Sequence, residues 1–164
     1  MPITLEGSCH CGTVRFTVKS STPVPYQLCV CSICRKVGGV GGSINLGAHS
    51  KTLIITQGKE YIGVYKAVMD RDTPKEHIAI SERNFCMKCS SMLWLYDETW
   101  PEFLHPFASV IDSPELEAPD ELVVLKLNSK PNYVRLPEGR KNVFEDYPSD
   151  SIESWHKKHK KYVE

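Results

Sequence analysis

The chain has 164 residues and a mass of 18.6 kDa, a size at which one domain buries a core of its own without disulfides. Its 20 lysines and arginines balance 20 aspartates and glutamates, so no net field holds a polyanion, and nucleic acid and anionic membranes are excluded as primary partners. No apolar run approaches the roughly 20 residues of a membrane span, and the chain begins with no signal-like stretch. We therefore expect one soluble, cytoplasmic domain over residues 1–164 that binds a small molecule.

Short strands dominate the predicted elements. Segments that alternate in polarity or are rich in β-branched residues are separated by Gly, Pro or Asn, which is typical of a sheet-rich fold. In chain order, the predicted strands are residues 3–6, 13–18, 53–56, 61–66, 76–81, 92–96, 108–111 and 122–127. Six prolines between residues 101 and 137 predict that the last third wraps the sheets in loops with few regular elements.

Two short helices complete the prediction. The first spans residues 32–37 and ends at Gly38, and the second is C-terminal and begins near Asp150. Asp150 and Glu153 have the spacing of a capping box, Trp155 and Tyr162 lie near one face, and several lysines follow near the negative end of the helix dipole. The sequence therefore predicts a mainly β fold with a helix at each of these two places.

Seven cysteines in three tight groups are the strongest functional signal in the sequence. The groups are Cys9 and Cys11, then Cys29, Cys31 and Cys34, then Cys86 and Cys89. The number of thiols is odd, and cysteines separated by a single residue cannot easily bridge each other, which argues against disulfides. Seven divides into a closed set of four, typical of structural zinc, and a set of three that leaves one coordination position open for chemistry.

Spacing suggests how the sulfurs converge but leaves their partners open. Along a strand, residues two apart point to the same side, so Cys9 and Cys11 form half a site, as do Cys29 and Cys31. Cys86 and Cys89 have the spacing of a zinc knuckle. On spacing alone, this knuckle joins either the pair Cys9 and Cys11 or the pair formed by Cys31 and Cys34.

The residues after the triple group are candidates for binding a carboxylate-bearing ligand. Arg35 and Lys36 follow Cys34 directly, and such cations lower the pKa of nearby thiols and offset the excess charge of three thiolates. A glycine-rich segment, residues 38–42, comes next. It lacks the Lys and Ser/Thr of a phosphate-binding loop, so we expect a close backbone approach there, with Gly38 and Gly39 beside the ligand.

Three motifs in this order resemble the glutathione-dependent formaldehyde-activating enzyme family, which includes the domain of centromere protein V. They are residues 8–14 (SCHCGTV), 31–36 (CSICRK) and 85–91 (FCMKCSS). The resemblance is best over residues 5–111, and residues 112–164 form a C-terminal extension that matches less well. It implies a β-rich fold similar to that of Mss4, built around zinc.

The same resemblance implies the metal ligands and the activity. It assigns Cys9, Cys11, Cys86 and Cys89 to a structural zinc, and the other three cysteines to a second zinc with an open position. The activity it implies is the condensation of glutathione with formaldehyde to S-hydroxymethylglutathione, which is a carbon–sulfur lyase reaction run in reverse.

The chain departs from the family pattern at two positions. Val30 stands where the family usually has histidine, which removes a candidate for proton transfer, and Ser90 stands where the knuckle is usually followed by glycine. A residue after a knuckle often needs positive φ, so Ser90 predicts a strain of about 1 kcal/mol. No proton-transfer residue is evident: His10 fits a packing or hydrogen-bonding role, and His105 fits a buried structural role as well as a role in the site.

Together these features predict a zinc-dependent carbon–sulfur lyase acting on a glutathione-type thiol adduct, with two zinc ions per chain. One alternative is a non-catalytic zinc module that binds a protein partner, because a fold resemblance does not by itself carry a function. A second alternative is a lyase that acts on the adduct of another thiol.

Overall fold

A computed structural model describes all 164 residues and contains fifteen short strands and two helices. The strands are β1 (Ile3–Ser8), β2 (Arg15–Ser20), β3 (Gln27–Cys29), β4 (Ser43–Ile44), β5 (Ala48–His49), β6 (Ile54–Gln57), β7 (Ile62–Tyr65), β8 (Val68–Met69), β9 (His77–Ile78), β10 (Glu82–Cys86), β11 (Met92–Tyr96), β12 (Phe103–Pro106), β13 (Ile111–Ser113), β14 (Leu122–Leu125) and β15 (Lys141–Val143). The helices are α1 (Ser32–Gly38) and α2 (Ile152–Lys158). The predicted mainly β fold with these two helices is confirmed.

Three sheets and a small ribbon make up the architecture. The first sheet has the strand order β13-β1-β2-β6, and the second has the order β5-β12-β11-β10-β7. The third sheet, β15-β14-β3-β4, pairs β14 in parallel with both β3 and β15, while β8 and β9 form the ribbon. The C-terminal third therefore supplies strands to the same sheet as β3, which carries Cys29.

The main core lies between the first and second sheets. Alternate residues of β1 and β2, such as Leu5 and Phe16, point inward and are at most 1% exposed. They belong to one buried cluster with Leu93 and Trp94 of β11, and the rings of Phe16 and Trp94 meet edge to face at a centroid distance of 5.0 Å. This packing fixes the turns at the ends of β1 and β10 relative to each other.

Helix α2 is attached to the segment that leads into β3. Trp155 stacks on Tyr26 with ring centroids 3.8 Å apart, and the two residues share a small buried cluster with Val24. His156 is fully buried; its Nε2 accepts a hydrogen bond from the Val24 amide at 3.0 Å, and its Nδ1 donates to the Ile152 carbonyl at 2.7 Å. Helix α2 thus packs against the segment that directly precedes β3 of the third sheet.

Several predicted boundaries are wrong in instructive ways. Residues 108–110 form a 3-10 turn, and only the segment from Ile111 is a strand. Of residues 76–81, only His77–Ile78 is a strand, and the long strand is the following Glu82–Cys86, whose charged beginning hid it. Strands β3 and β12 were not predicted, because three or four residues carry too little periodicity.

The start of α2 also needs correction. Ser151, not Asp150, is the N-cap, since its hydroxyl accepts a hydrogen bond from the Ser154 amide at 3.1 Å. Asp150 instead accepts a hydrogen bond from the Ser154 hydroxyl and pairs with Lys158. The helix ends at Lys158, so Tyr162 lies beyond it and does not extend its apolar face.

Candidate metal centres

The first group of sulfurs joins two turns that are far apart in sequence. Cys9 and Cys11 follow β1, and Cys86 and Cys89 end β10 and begin the turn into β11. The four Sγ atoms all lie within 4.8 Å of one another, with 3.6 Å between Cys9 and Cys11 and 3.9 Å between Cys11 and Cys86. The structure therefore places the knuckle with Cys9 and Cys11, which resolves the alternative that spacing left open.

This arrangement fits a tetrahedral ion held by thiolates. Sulfurs at the corners of a tetrahedron, each about 2.3 Å from a central zinc, stand roughly 3.8 Å apart, close to the observed separations. Backbone and hydroxyl groups surround the sulfurs: the Val14 amide donates to Cys9 Sγ at 3.2 Å, and Cys11 Sγ lies 3.1 Å from Thr13 Oγ1. The donor set and its separations fit a structural metal site.

Neighbouring groups alter the thiol pKa values of the four-cysteine group unevenly. Desolvation raises the pKa of Cys86 to about 11. Desolvation acts in the same direction on Cys89, but hydrogen bonding from Ser91 and from nearby amides outweighs it and lowers the pKa to about 5. Hydrogen bonding from Thr13 lowers the pKa of Cys11. A bound divalent cation would favour the thiolate form at all four positions.

The second group lies where β3 passes into α1. The Sγ atoms of Cys29, Cys31 and Cys34 also lie within 4.8 Å of one another, and no fourth Cys, His, Asp or Glu belongs to the group. Cys31 is the N-cap of α1, and its Sγ accepts a hydrogen bond from the Cys34 amide at 3.3 Å. Cys34 is buried, whereas Cys29 and Cys31 are half-buried. Three sulfurs thus converge without a fourth protein ligand.

The three thiols of the triple group shift one another's pKa in opposite directions. Hydrogen bonding from Cys29, then from Cys34, lowers the pKa of Cys31 to about 2, and the amides of Cys34 and Ile33 contribute further. The same contact with Cys31 raises the pKa of Cys29. Before any ion binds, the three thiols therefore titrate as one coupled group.

Sequence reasoning missed two residues beside this group. The charge of Cys31 contributes to the raised pKa of Lys126, after the larger effect of the hydrogen bond to Asp146, and Cys29 and Cys31 contribute to that of Tyr147 after burial. Lys126 Nζ also lies 5.1 Å from the Tyr147 ring centroid. Lys126 follows β14 and Tyr147 follows β15, in regions without a sequence motif. Their position near the triple group becomes evident only from the parallel pairing of β14 with β3 and with β15.

The predicted ligand-binding residues have different environments. The Arg35 guanidinium donates to the carbonyls of Val30 and Ser129, each at 2.9 Å, so it ties α1 to the loop after β14. Lys36 is exposed and has no ion-pair partner in the structure. Gly38 lines a large cleft, while Gly39 is the C-cap of α1 with a φ of 119°.

The expected close backbone approach occurs at the end of the glycine-rich segment. Gly42 has a φ of 94°, and a Cβ there would stand 2.1 Å from the carbonyl oxygen of Cys29. Ser43, the next residue, is buried, and its hydroxyl has no hydrogen-bond partner within the structure. Only glycine therefore lets this segment pass so close to Cys29.

A cleft of about 1250 Å³ borders both the four-cysteine group and the glycine-rich segment. Its walls include Cys9, His10, Cys89, Gly38 and Gly42, but none of the three cysteines of the triple group. His10 is exposed rather than packed, and only its backbone amide is held, by the Ser91 hydroxyl at 2.9 Å. His105 lies elsewhere, so neither sequence candidate adjoins the triple group.

Comparisons with known proteins identify the family. The sequence model of the family described as "Glutathione-dependent formaldehyde-activating enzyme" matches residues 4–126, which is well over half of the chain. The chain belongs to this family. The match extends beyond residue 111, through β14, so the strand that reaches the triple group from the C-terminal side is part of the family pattern.

A curated relative and a solved structure agree with this placement. A protein of Halomonas elongata, provisionally named a glutathione-dependent formaldehyde-activating enzyme, is 47% identical over 154 residues, which cover 93% of this chain and 94% of the relative. A crystal structure of a Rhodobacter sphaeroides protein matches 70% of this chain and 99% of its own, with a TM-score of 0.52 at 21% identity. The second likeness bears on the fold alone. Neither helix of this chain has the length and apolar character needed to span a membrane.

Proposed function

We propose that the protein is a zinc-dependent carbon–sulfur lyase that forms or cleaves the adduct of glutathione with formaldehyde. The observation that carries this proposal is the triple group: three sulfurs within 4.8 Å of one another, at the start of a helix, with no fourth protein ligand. A site with three protein ligands and one open position is the usual arrangement of catalytic zinc. The relative from Halomonas elongata carries a name that refers to the same thiol and the same aldehyde.

Two zinc ions per chain fit the donor sets. Thiolate sulfur is the ligand type that selects zinc among the common divalent ions of a reducing cell, and seven free thiols are consistent with a cytoplasmic location. We assign the closed set of four to a structural ion and the open set of three to a reactive one. Zinc at the open set would lower the pKa of an incoming thiol and hold it as the thiolate that attacks an aldehyde carbon.

The chain itself positions and balances the reactants. Three protein thiolates and a substrate thiolate on a divalent ion would carry two excess negative charges, and the Lys126 ammonium, which interacts with Cys31, would offset part of this charge. Lys36 has no partner of its own, which leaves it available for a substrate carboxylate. Because the Arg35 guanidinium already donates to two backbone carbonyls, we assign it to holding α1 in place. We assign Gly38 and Gly39 to the surface beside which glutathione binds.

The decisive experiment combines metal analysis with turnover. Purified wild-type protein is expected to contain two zinc ions per chain and to accelerate formation of S-hydroxymethylglutathione. Cys31→Ser is expected to contain one ion, to remain folded, and to lose at least about 100-fold in rate, because the reactive site is lost. Ser32→Ala, the exposed neighbour of Cys31, serves as the matched control and retains both ions and the rate.

Two outcomes would contradict the proposal. One zinc per wild-type chain, together with an unchanged rate in Cys31→Ser, would mean that the triple group is not catalytic and would favour a zinc module that binds a partner. Preference for the formaldehyde adduct of another thiol over that of glutathione would reject the substrate while leaving the lyase chemistry in place.

A further inference from the structure

A second cavity lies away from both cysteine groups. It has a volume of about 350 Å³ and is bounded by the segment after β2, by β5 and β12 of the second sheet, and by the start of α2. None of its lining residues belongs to a cysteine group or to the glycine-rich segment. This volume falls within the range of small-molecule sites, toward its lower end.

The walls of this cavity are largely apolar and aromatic. Trp100, Phe103 and Tyr162 contribute aromatic rings, and Ile152 contributes the aliphatic side of α2. Trp100 is 57% exposed, which is unusual for the largest apolar side chain, and no aromatic or hydrogen-bonding contact holds its ring. Flat apolar walls favour a flat apolar ligand, because burying its surface against rings recovers the hydrophobic free energy of both.

Two imidazoles reach the same cavity from one face of the second sheet. His49 is paired in register with Phe103, and His105 lies two residues further along β12, so both side chains point to the same side. His105 Nδ1 donates to the Leu46 carbonyl at 3.2 Å, and burial lowers the pKa of this imidazole. Its Nε2 is then an acceptor that faces the cavity and receives no hydrogen bond from the protein.

A hydroxyl and a compensated charge complete the polar lining. Ser21 Oγ lies 2.9 Å from His49 Nε2, and neither atom has a second partner, so this pair retains capacity for one further hydrogen bond. Glu153 also lines the cavity, but its carboxylate is paired with Lys157. The cavity thus presents hydrogen-bonding groups without an uncompensated charge.

From these features we propose that this cavity is a second ligand site, for a small, uncharged aromatic molecule that carries a ring hydroxyl. The ring stacks against Trp100 and Phe103. The hydroxyl donates to His105 Nε2, an acceptor that otherwise remains unpaired. A charged ligand is disfavoured, because desolvating its charge would meet no opposite charge in return.

Calorimetric titration of the zinc-loaded full chain with p-cresol and with toluene tests this proposal. The two probes have the same ring and methyl group and differ in the hydroxyl. We expect saturable binding of p-cresol at one site per chain, and binding of toluene that is weaker by about 10-fold, because toluene lacks the one hydrogen bond to His105. Equal affinities, or no saturable binding of p-cresol, would overturn the proposal.

Variants of two wall residues locate the site independently of each other. Trp100→Ala removes an exposed side chain, so the fold is retained, and it is expected to weaken p-cresol binding by at least about 5-fold through lost ring contact. His105→Phe removes the acceptor and is expected to abolish the preference for p-cresol over toluene. Tyr133→Ala, which removes another aromatic residue that is 69% exposed and lies outside the cavity, is the control and leaves both affinities unchanged. Undiminished binding of p-cresol in Trp100→Ala would place the ligand elsewhere and refute the assignment.

Discussion

At the scale of single residues, Ser90 shows how the turn that follows Cys86 and Cys89 constrains the backbone. Its φ is 66°, in the left-handed region, and its amide donates to the Cys86 carbonyl at 2.8 Å to close the turn. The sequence predicted this positive φ from the position of Ser90 after the knuckle, and the structure confirms it. A non-glycine residue there is strained by about 1 kcal/mol, and the turn is held because both knuckle sulfurs must face Cys9 and Cys11.

Replacing Ser90 with glycine is expected to stabilise the protein. Glycine relieves the left-handed strain, and its greater freedom in the unfolded chain offsets part of that gain, so we expect the free energy of unfolding to rise by about 0.5 kcal/mol. Urea denaturation of zinc-saturated protein measures the change. Ser109→Gly, at an exposed serine without positive φ, is the matched control and is expected to destabilise slightly. A loss of stability in Ser90→Gly equal to that of the control would contradict the strain.

Val30 has a packing role in this chain. Its side chain is fully buried and packs in a cluster with Leu28 and Val124, in the third sheet. Residues 29 and 31 supply sulfurs to the site, so the intervening residue points to the other side of the extended segment, into the core. A valine at this position therefore contributes apolar burial, and the sulfurs of its two neighbours stay on the opposite side of the segment.

At the scale of elements, the glycine-rich segment and the end of β3 form one unit. Gly42→Ala would place a methyl group 2.1 Å from the Cys29 carbonyl oxygen, at a φ of 94°. We expect the free energy of unfolding to fall by at least about 2 kcal/mol and the zinc content to fall toward one ion per chain, because Cys29 must move. Denaturant unfolding and metal analysis report both effects.

Gly41→Ala provides the comparison for this prediction. A Cβ at Gly41 meets no atom within 4 Å, and the residue does not have positive φ, so the variant is expected to retain wild-type stability and both ions. Equal stability and equal zinc content in the two alanine variants would show that neither property requires the close approach of Gly42 to Cys29.

The attachment of α2 makes stability depend on pH through His156. Desolvation lowers the pKa of His156 below its ordinary value of 6.5, with His159 acting in the same direction and the hydrogen bond to Ile152 opposing it. The unfolded chain therefore takes up this proton more readily than the folded one. The stabilising contribution is fully present above about pH 6.5 and declines as the pH falls toward the lowered pKa of the folded state.

Urea denaturation between pH 8 and pH 5 tests this dependence. His156→Gln keeps an acceptor for the Val24 amide but cannot titrate, so we expect its stability to fall less than that of wild type over this range. His156→Leu leaves that buried amide unpaired and is expected to lose about 1–3 kcal/mol at pH 8. Parallel pH profiles for wild type and His156→Gln would show that another group governs the dependence.

At the scale of the whole molecule, the closed group of four cysteines couples the two large sheets. Cys9 and Cys11 follow β1 of the first sheet, and Cys86 ends β10 of the second, so one ion would join both sheets beside their shared core. The open group instead joins β3 to α1 within a single region. Loss of the first ion should therefore affect global stability, whereas loss of the second should affect mainly the local site.

Stepwise removal of zinc is expected to separate these two roles. A chelator titration should release one ion first, with loss of turnover but not of the near-UV circular dichroism signal. Release of the second ion should lower the free energy of unfolding by about 3 kcal/mol or more, the linkage energy of a site at least a hundredfold saturated. Cys86→Ser should reproduce the second step and Cys31→Ser the first. Simultaneous release of both ions with unfolding would contradict the division.

We also propose that residues 1–164 form one domain. Strand β14 pairs with β3, and α2 packs on Tyr26. The C-terminal third therefore contacts the N-terminal part of the chain through both a strand and a helix. The sequence alone predicts a C-terminal extension here, because the strands of this third are only three or four residues long and prolines separate them.

The sequence by itself determined the grouping of the cysteines, the mainly β class, the positive φ at Ser90 and the family, because these depend on residue type and on spacing of a few residues. Cysteine spacing left the partner of the knuckle open, the family resemblance implied Cys9 and Cys11, and the structure brings these four sulfurs together. The tertiary structure alone decided that Lys126 and Tyr147 approach the triple group, and that His49 and His105 share a cavity. Each of these depends on which strands pair across long sequence separations. That pairing is set by burial of the whole core, which no local pattern encodes.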